Sequence, residues 1–200
     1  GGTYQDQHTA VDIEQCINRY PELTGAPGVR ARAPLVLKRT PGLKLFATAG
    51  NGPIRAIFYQ DDRGFCVSGS DFYELDPAGT ATDRGDVISN ANPAQIFSNG
   101  TGGSQLLIIS GGNGYIFNLS TNTLTQITDA DFPANVVMGG FLDGYFLALA
   151  YNTRSVQFSA SFNGTNWAAA DIFQKSQTSD NVRALIIDRR LAYLLGSTTT

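Results

Sequence analysis

A stretch of this chain repeats at a step of 42 residues, and few architectures permit that. Phe65-Cys66-Val67-Ser68-Gly69, followed by Phe72-Tyr73-Glu74-Leu75-Asp76, lines up with Leu107-Ile108-Ile109-Ser110-Gly111, followed by Tyr115-Ile116-Phe117-Asn118-Leu119; Gly69 and Gly111 are 42 residues apart. The same step places a third unit at Phe146-Leu147-Ala148-Leu149-Ala150 and Val156-Gln157-Phe158. A fourth falls at Ala192-Tyr193-Leu194-Leu195-Gly196, whose glycine lies 85 residues beyond Gly111. Self-similarity at a fixed period of this size marks repeat architectures.

Each unit opens on an apolar strand: Ile54-Arg55-Ala56-Ile57-Phe58-Tyr59, Ala94-Gln95-Ile96-Phe97, Val136-Val137-Met138 and Val182-Arg183-Ala184-Leu185-Ile186-Ile187. Reversal residues separate the strands at Asp61-Asp62-Arg63-Gly64, Gly111-Gly112-Asn113-Gly114, Leu142-Asp143-Gly144 and Asp188-Arg189-Arg190, which predicts antiparallel hairpins. Four short strands in about forty residues is the period of a propeller blade, whose sheet buries its faces on its neighbours. A β-sandwich also has short, evenly spaced strands but has no reason to repeat at this step. The expectation is therefore an all-β, propeller-like fold of four-stranded antiparallel blades at 54–93, 94–134 and 135–181, with a partial blade at 182–200. Three and a half blades do not close a ring of four to eight. Residues 1–53 precede the first unit. Ala10, Ile13, Ile17 and Tyr20 have helical spacing, but Tyr20-Pro21 and the Pro/Gly density through Pro41-Gly42 favour extended chain and loop.

Composition narrows the partners. With 42% hydrophobic and 16% charged residues, the 200-residue chain can bury a sizeable core. Its net charge of -3, without clustered Lys or Arg, disfavours a protein that grips phosphates, but suits a weakly acidic wall past which DNA slides. No run approaches the ~20 apolar residues of a membrane helix, and residues 1–20 lack the basic and apolar regions of a signal peptide. Cys16 and Cys66 lie in no C-x-x-C or Cys/His cluster and read as buried free thiols.

The residue types that carry catalysis are poorly arranged. His8 is the only histidine and has no Ser or Cys motif beside it. Gly100 to Gly103 and Gly111 to Gly114 read as glycine turns that open no helix, so neither offers a helix N-terminus to a phosphate. Asp61-Asp62, Asp83 to Asp86 and Asp129-Ala130-Asp131 lack the glycine and distal glutamate of a calcium loop and read as turn residues. Ser161-Phe162-Asn163-Gly164-Thr165-Asn166-Trp167 is one residue short of the S-x-D-x-G-x-x-W turn of sialidase-type propellers. The simpler expectation is a hairpin turning at Asn163-Gly164 and capped by Trp167. A sialidase needs converging arginines, and Arg55, Arg154, Arg183, Arg189 and Arg190 follow no such pattern. Asn99, Asn118 and Asn163 each open a glycosylation sequon. No catalytic, cofactor-binding or metal-binding residues are assigned, and no enzyme activity or cofactor is expected.

Several ordered stretches carry a resemblance: Cys16-Ile17-Asn18-Arg19-Tyr20-Pro21-Glu22, Thr40-Pro41-Gly42-Leu43, Asp131-Phe132-Pro133, Phe141-Leu142-Asp143-Gly144-Tyr145-Phe146 and Gly196-Ser197-Thr198-Thr199-Thr200. In this order they resemble the tail-hub, or nozzle, proteins of short-tailed bacteriophages, also described as packaged-DNA-stabilisation proteins. The resemblance implies a structural protein of the virion tail, assembled in the host cytoplasm. It implies a ring, a hexamer in the family, below the portal and its adaptor, with needle, plug or fibre proteins as further partners. Such a ring extends the DNA channel, retains the packaged genome and takes part in ejection, with double-stranded DNA passing and no sequence-specific contact. The alternative is a glycan-binding or glycan-cleaving propeller of sialidase or lectin type, with an axial pocket lined by Arg, Asp and aromatic side chains.

Overall fold

The computed structural model describes residues 19–23, 35–174 and 180–197, which excludes His8, Cys16 and the Ala10–Ile17 spacing. The chain divides into two compact units, Gly1–Leu45 and Phe46–Thr200. In the first, β1 (Arg19–Leu23) pairs antiparallel with β2 (Leu35–Arg39), Tyr20 opposite Lys38. Pro21 sits in a two-stranded sheet, where both strands are edges, the place in a sheet that tolerates proline.

The second unit contains three four-stranded antiparallel sheets and one two-stranded sheet. The first is β3 (Ile54–Gln60), β4 (Arg63–Ser68), β5 (Asp71–Leu75) and β6 (Ala81–Asp86). The second begins with β7 (Gln95–Ser98), crosses the four-residue helical turn α1 (Gly100–Gly103), and continues as β8 (Gln105–Ser110), β9 (Asn113–Asn118) and β10 (Thr123–Gln126). The third is β11 (Val136–Leu142), β12 (Tyr145–Ala150), β13 (Ser155–Ala160) and β14 (Asn163–Gln174). Last come β15 (Val182–Asp188) and β16 (Leu191–Gly196). In every sheet neighbouring strands are consecutive in sequence, so pairing stays local. The fold is propeller-like, and its ring is incomplete.

Turn chemistry sets the registers. Asp61 and Asp62 adopt φ of 51° and 60° between β3 and β4, Asp143 and Gly144 47° and 98°, and Arg189 and Arg190 46° and 64°. Two consecutive positive φ values match the right-handed twist of the flanking strands. Asp bears that conformation readily, whereas a pair of arginines is strained by it. Gly69 and Gly111, the landmarks of the repeat, sit at φ 58° and 61° after the second strands β4 and β8. There, a Cβ on Gly111 would clash with Ile88.

The core lies between sheets rather than within one layer. Phe65, Val67 and Phe72 of the first sheet meet Leu106, Ile108, Tyr115 and Phe117 of the second. Leu107, Ile109 and Ile116 on the opposite face meet Phe146, Ala148 and Trp167 of the third. Leu147, Leu149 and Val156 then pack on Val182 and Leu185. The second strands β8 and β12 are apolar at successive positions because both of their faces are covered. Side chains on the outer faces of the first and last of these sheets stay exposed, Ile57 and Tyr59 at 75% and 67% and Ile186, Leu191 and Tyr193 at about half.

Two sequence expectations are corrected. Gly100 to Gly103 does form a helical turn, closed by the Ser104 N–H on the Gly100 carbonyl. The Asn99 side chain accepts from the Gln105 N–H across its base at 2.8 Å, and that local bond supplies what the glycines lack in propensity. The β13–β14 hairpin turns at Ser161-Phe162, Phe162 taking φ 52°, while Ala160 pairs with Asn163. Asn163-Gly164 therefore begins a bulge, in which Thr165 donates both its N–H and its hydroxyl to Asn163 Oδ1.

Candidate functional site

Several of the ionisable side chains singled out in the sequence are engaged in holding strands and loops. Asp62 accepts the Tyr59 hydroxyl at 2.6 Å, and Asp83 accepts the Gly85 N–H. Asp129 accepts the N–H of Asp131 and that of Trp167, which keeps its carboxyl below the usual range. Trp167, 2% exposed, donates its indole N–H to the Gly164 carbonyl and meets the Phe132 ring edge-on at 4.9 Å; it seals an inter-blade core rather than capping a hairpin. Arg190 pairs with Asp143 at 2.8 Å. Among the described residues no three of His, Cys, Asp and Glu gather as a metal site. Cys66 is buried and free, and burial raises its thiol pKa, which keeps it protonated and inert.

Blade joints carry a polar set that the sequence did not reveal. Arg63, at the start of β4, forks onto Glu74 of β5 at 2.7 and 2.8 Å and reaches across to the Leu119 carbonyl and Asn122 of the next blade. Its guanidinium stands 5.3 Å from the Phe65 ring centroid and 6.0 Å from that of Phe117. Arg84 on β6 holds the other side of Glu74. The bond to Arg63, aided by Arg84, depresses the Glu74 pKa against its burial. Gln105 similarly accepts the Gly164 N–H of the third blade, and Gln95 the Gly139 N–H.

Two of the concavities among these blades bear on function. The first strands of all four sheets surround an apolar cavity of about 480 Å³, lined by Phe58, Phe97, Met138, Phe141, Leu185 and Ile187. Gly139 and Gly140 admit Phe97 and Ile187 from opposite sides of β11, since a Cβ at either position would clash with them. A second cavity, about 500 Å³, opens among loops at one end of the blades and includes Asn90, Asn92, Gln95, Asn135 and Tyr151. Arg55 fixes one wall, donating to the Gly69 and Asn92 carbonyls and to Asn90 Oδ1. On the other wall the Asn135 carbonyl accepts the Tyr151 N–H.

No family model and no curated protein matches the chain. Solved structures do. The computationally designed Ika4 protein superposes with a TM-score of 0.55 at 10% identity, over 80% of this chain and 96% of its own. YCF48, solved bound to a D1 peptide, gives 0.52 at 13% identity, over 80% of this chain and 52% of that one. BamB from Moraxella catarrhalis gives 0.49 at 11% identity, over 70% of this chain and 40% of that one. The chain thus spans about half the length, or less, of these two natural proteins. At such identities the likeness speaks to architecture alone: the chain has a β-propeller-like fold of four-stranded antiparallel blades.

Proposed function

We propose that this chain is part of a structural virion protein, a ring-forming tail hub or nozzle that extends the DNA channel below a phage portal and adaptor. The observation that carries the reading is the ordered set of stretches from Cys16 to Thr200 that resemble this family, alongside the 42-residue repeat of residues 54–200. Two features of the molecule favour an assembly role. Both ends of the blade stack present apolar side chains to solvent, Ile57 at one and Leu191 at the other, as surfaces awaiting protein neighbours do. The charged residues Arg63, Glu74, Arg84 and Asp129 are committed to holding blades and loops together.

On this reading the subunits form a ring, a hexamer as in the family, on the adaptor. Duplex DNA passes without sequence-specific contact, which suits a chain of net charge -3. The glycan-cleaving alternative calls for Arg and Asp on the axis, and the lining of the inner cavity is apolar and aromatic. Light scattering and negative-stain imaging of the full-length protein, alone and with a portal–adaptor complex, test the proposal. A ring, in solution or only on the adaptor, is expected. A monomer that ignores the adaptor overturns it.

A further inference from the structure

The loop-end cavity differs in chemistry from the apolar cavity between the first strands. Its polar side chains are Asn90, Asn92, Gln95, Ser110, Asn135 and Tyr151, all uncharged. Three of them, Asn90, Asn92 and Asn135, are solvent-exposed amides on three-sided loop walls, and Tyr151 is 64% exposed beside them. Ser110 is spent on the Ile88 carbonyl, and Gln95 on β11 through Val137 and Gly139. The Asn90 oxygen is held by Arg55 and the Asn92 N–H, which leaves the Asn90 amide N–H groups, the Asn92 and Asn135 carboxamides and the Tyr151 phenol to face whatever enters.

The walls are preformed. Arg55 ties the 90–92 loop by two bonds and anchors it to the Gly69 carbonyl by a third, and the Asn90 carboxamide oxygen also accepts the Asn92 N–H. Asn135 holds φ 56°; its carbonyl takes the Tyr151 N–H, and the next residue, Val136, donates to the Gly112 carbonyl. Binding therefore costs little loop ordering.

The lining selects by exclusion. An anion finds no cation among the lining residues, and Arg55, outside the lining, is turned onto the Asn92 and Gly69 carbonyls and Asn90 Oδ1. A cation finds no carboxylate among the lining residues. A purely apolar molecule would strip water from amides without replacing their bonds, which is unfavourable. A ligand with paired hydroxyls meets carboxamides that donate and accept in one plane, and a tyrosine ring that can stack on its C–H face. We infer that this cavity, whose volume falls in the range of small-molecule sites, binds a short neutral oligosaccharide. The inference is independent of the tail-hub reading.

Saturation-transfer NMR on the full chain, with maltotriose, chitotriose and lactose as probes and sialyllactose as the charged comparator, tests it. At least one neutral probe should bind with weak, millimolar-range affinity, and sialyllactose should bind no better than lactose. Tyr151→Ala should weaken that binding by ~10-fold, the loss of one stacking contact, and Asn135→Gly, which keeps the positive φ, should also weaken it. Thermal melts of both variants should match the parent, which separates lost binding from lost folding. Tyr59→Ala, an equally exposed tyrosine on the outer face of the first sheet, should leave binding unchanged. The inference falls if no neutral probe gives a signal, if Tyr151→Ala binds as the parent does, or if Tyr59→Ala costs as much as Tyr151→Ala.

Discussion

Replacing Arg63 by Met keeps the aliphatic stem against Phe65 and Phe117 while removing the guanidinium fork. The lost interactions are two bonds to Glu74, one to the Leu119 carbonyl, one to Asn122 and a cation–π contact. Arg63 and Glu74 side chains are 26% and 16% exposed, so the pair is partly screened but not a free surface bridge. A hydrogen bond to a charged group contributes about 1.5–3 kcal/mol. Because the four bonds act as one unit and Glu74 keeps Arg84, the expected loss is about 3 kcal/mol. Arg63→Lys retains charge without the fork and should lose about 1–2 kcal/mol. Urea unfolding reads both as a lower midpoint at unchanged slope.

The pH dependence follows from Glu74, whose folded pKa is depressed. A group depressed on folding adds stability that is fully present above its unfolded value. That stability is lost as pH falls through the folded value. The deficit of Arg63→Met should thus be largest near neutrality and shrink as pH drops below the ordinary glutamate range. A residue remains, from the Leu119 and Asn122 bonds, whose acceptors do not titrate. A deficit below about 1 kcal/mol at neutral pH, or one that stays constant on acidification, refutes the reasoning.

Phe117→Ala, which empties the centre of a trio with Phe65 and Phe72 at 5.7 and 5.2 Å, should cost about 4 kcal/mol in the same assay, whereas Ile57→Ala, exposed at the end of the stack, should cost under ~0.5. Gly52→Ala would drive a Cβ into the Gly69 backbone and should lose about 2–3 kcal/mol. Gly140→Ala meets only side-chain ends of Ile187 and Leu185, and its smaller cost should be relieved by Ile187→Val in a double-mutant cycle. Cys66, buried with a raised thiol pKa, should resist iodoacetamide at neutral pH in the folded protein and react on unfolding, as followed by peptide mass spectrometry.

Much of the architecture was legible because strand period and turn residues are local. The apolar openings at Ile54 and Val182, and the reversals at Asp61-Asp62 and Arg189-Arg190, announce themselves within a few residues. The Trp167 bulge was not legible, since Asn163-Gly164 is also a good turn signal. Only the pairing of Ala160 with Asn163 moves the reversal to Ser161-Phe162. Nor could sequence spacing bring Arg63 to Leu119, 56 residues away, or Gln105 to Gly164, 59 away. Such bonds exist only after neighbouring blades have stacked. The exposed asparagines of the loop-end cavity come from two separate loops, Asn90 and Asn92 before β7 and Asn135 before β11, and singly they look like ordinary turn residues.

Consecutive pairing also sets the order in which the molecule comes into being on the ribosome. Each sheet is contiguous in sequence, so a blade can pair its strands as soon as they emerge, but its leading face waits for the next blade. At synthesis rates of about 5–20 residues per second, a 42-residue unit takes about 2–8 s. For that interval the faces carrying Leu107 and Ile109, or Leu147 and Leu149, stand open to water, as the Ile186 and Tyr193 face does here. Slowing translation between blades would lengthen the hazard in proportion, and the nascent chain is at its stickiest each time a blade has just closed its own hairpins.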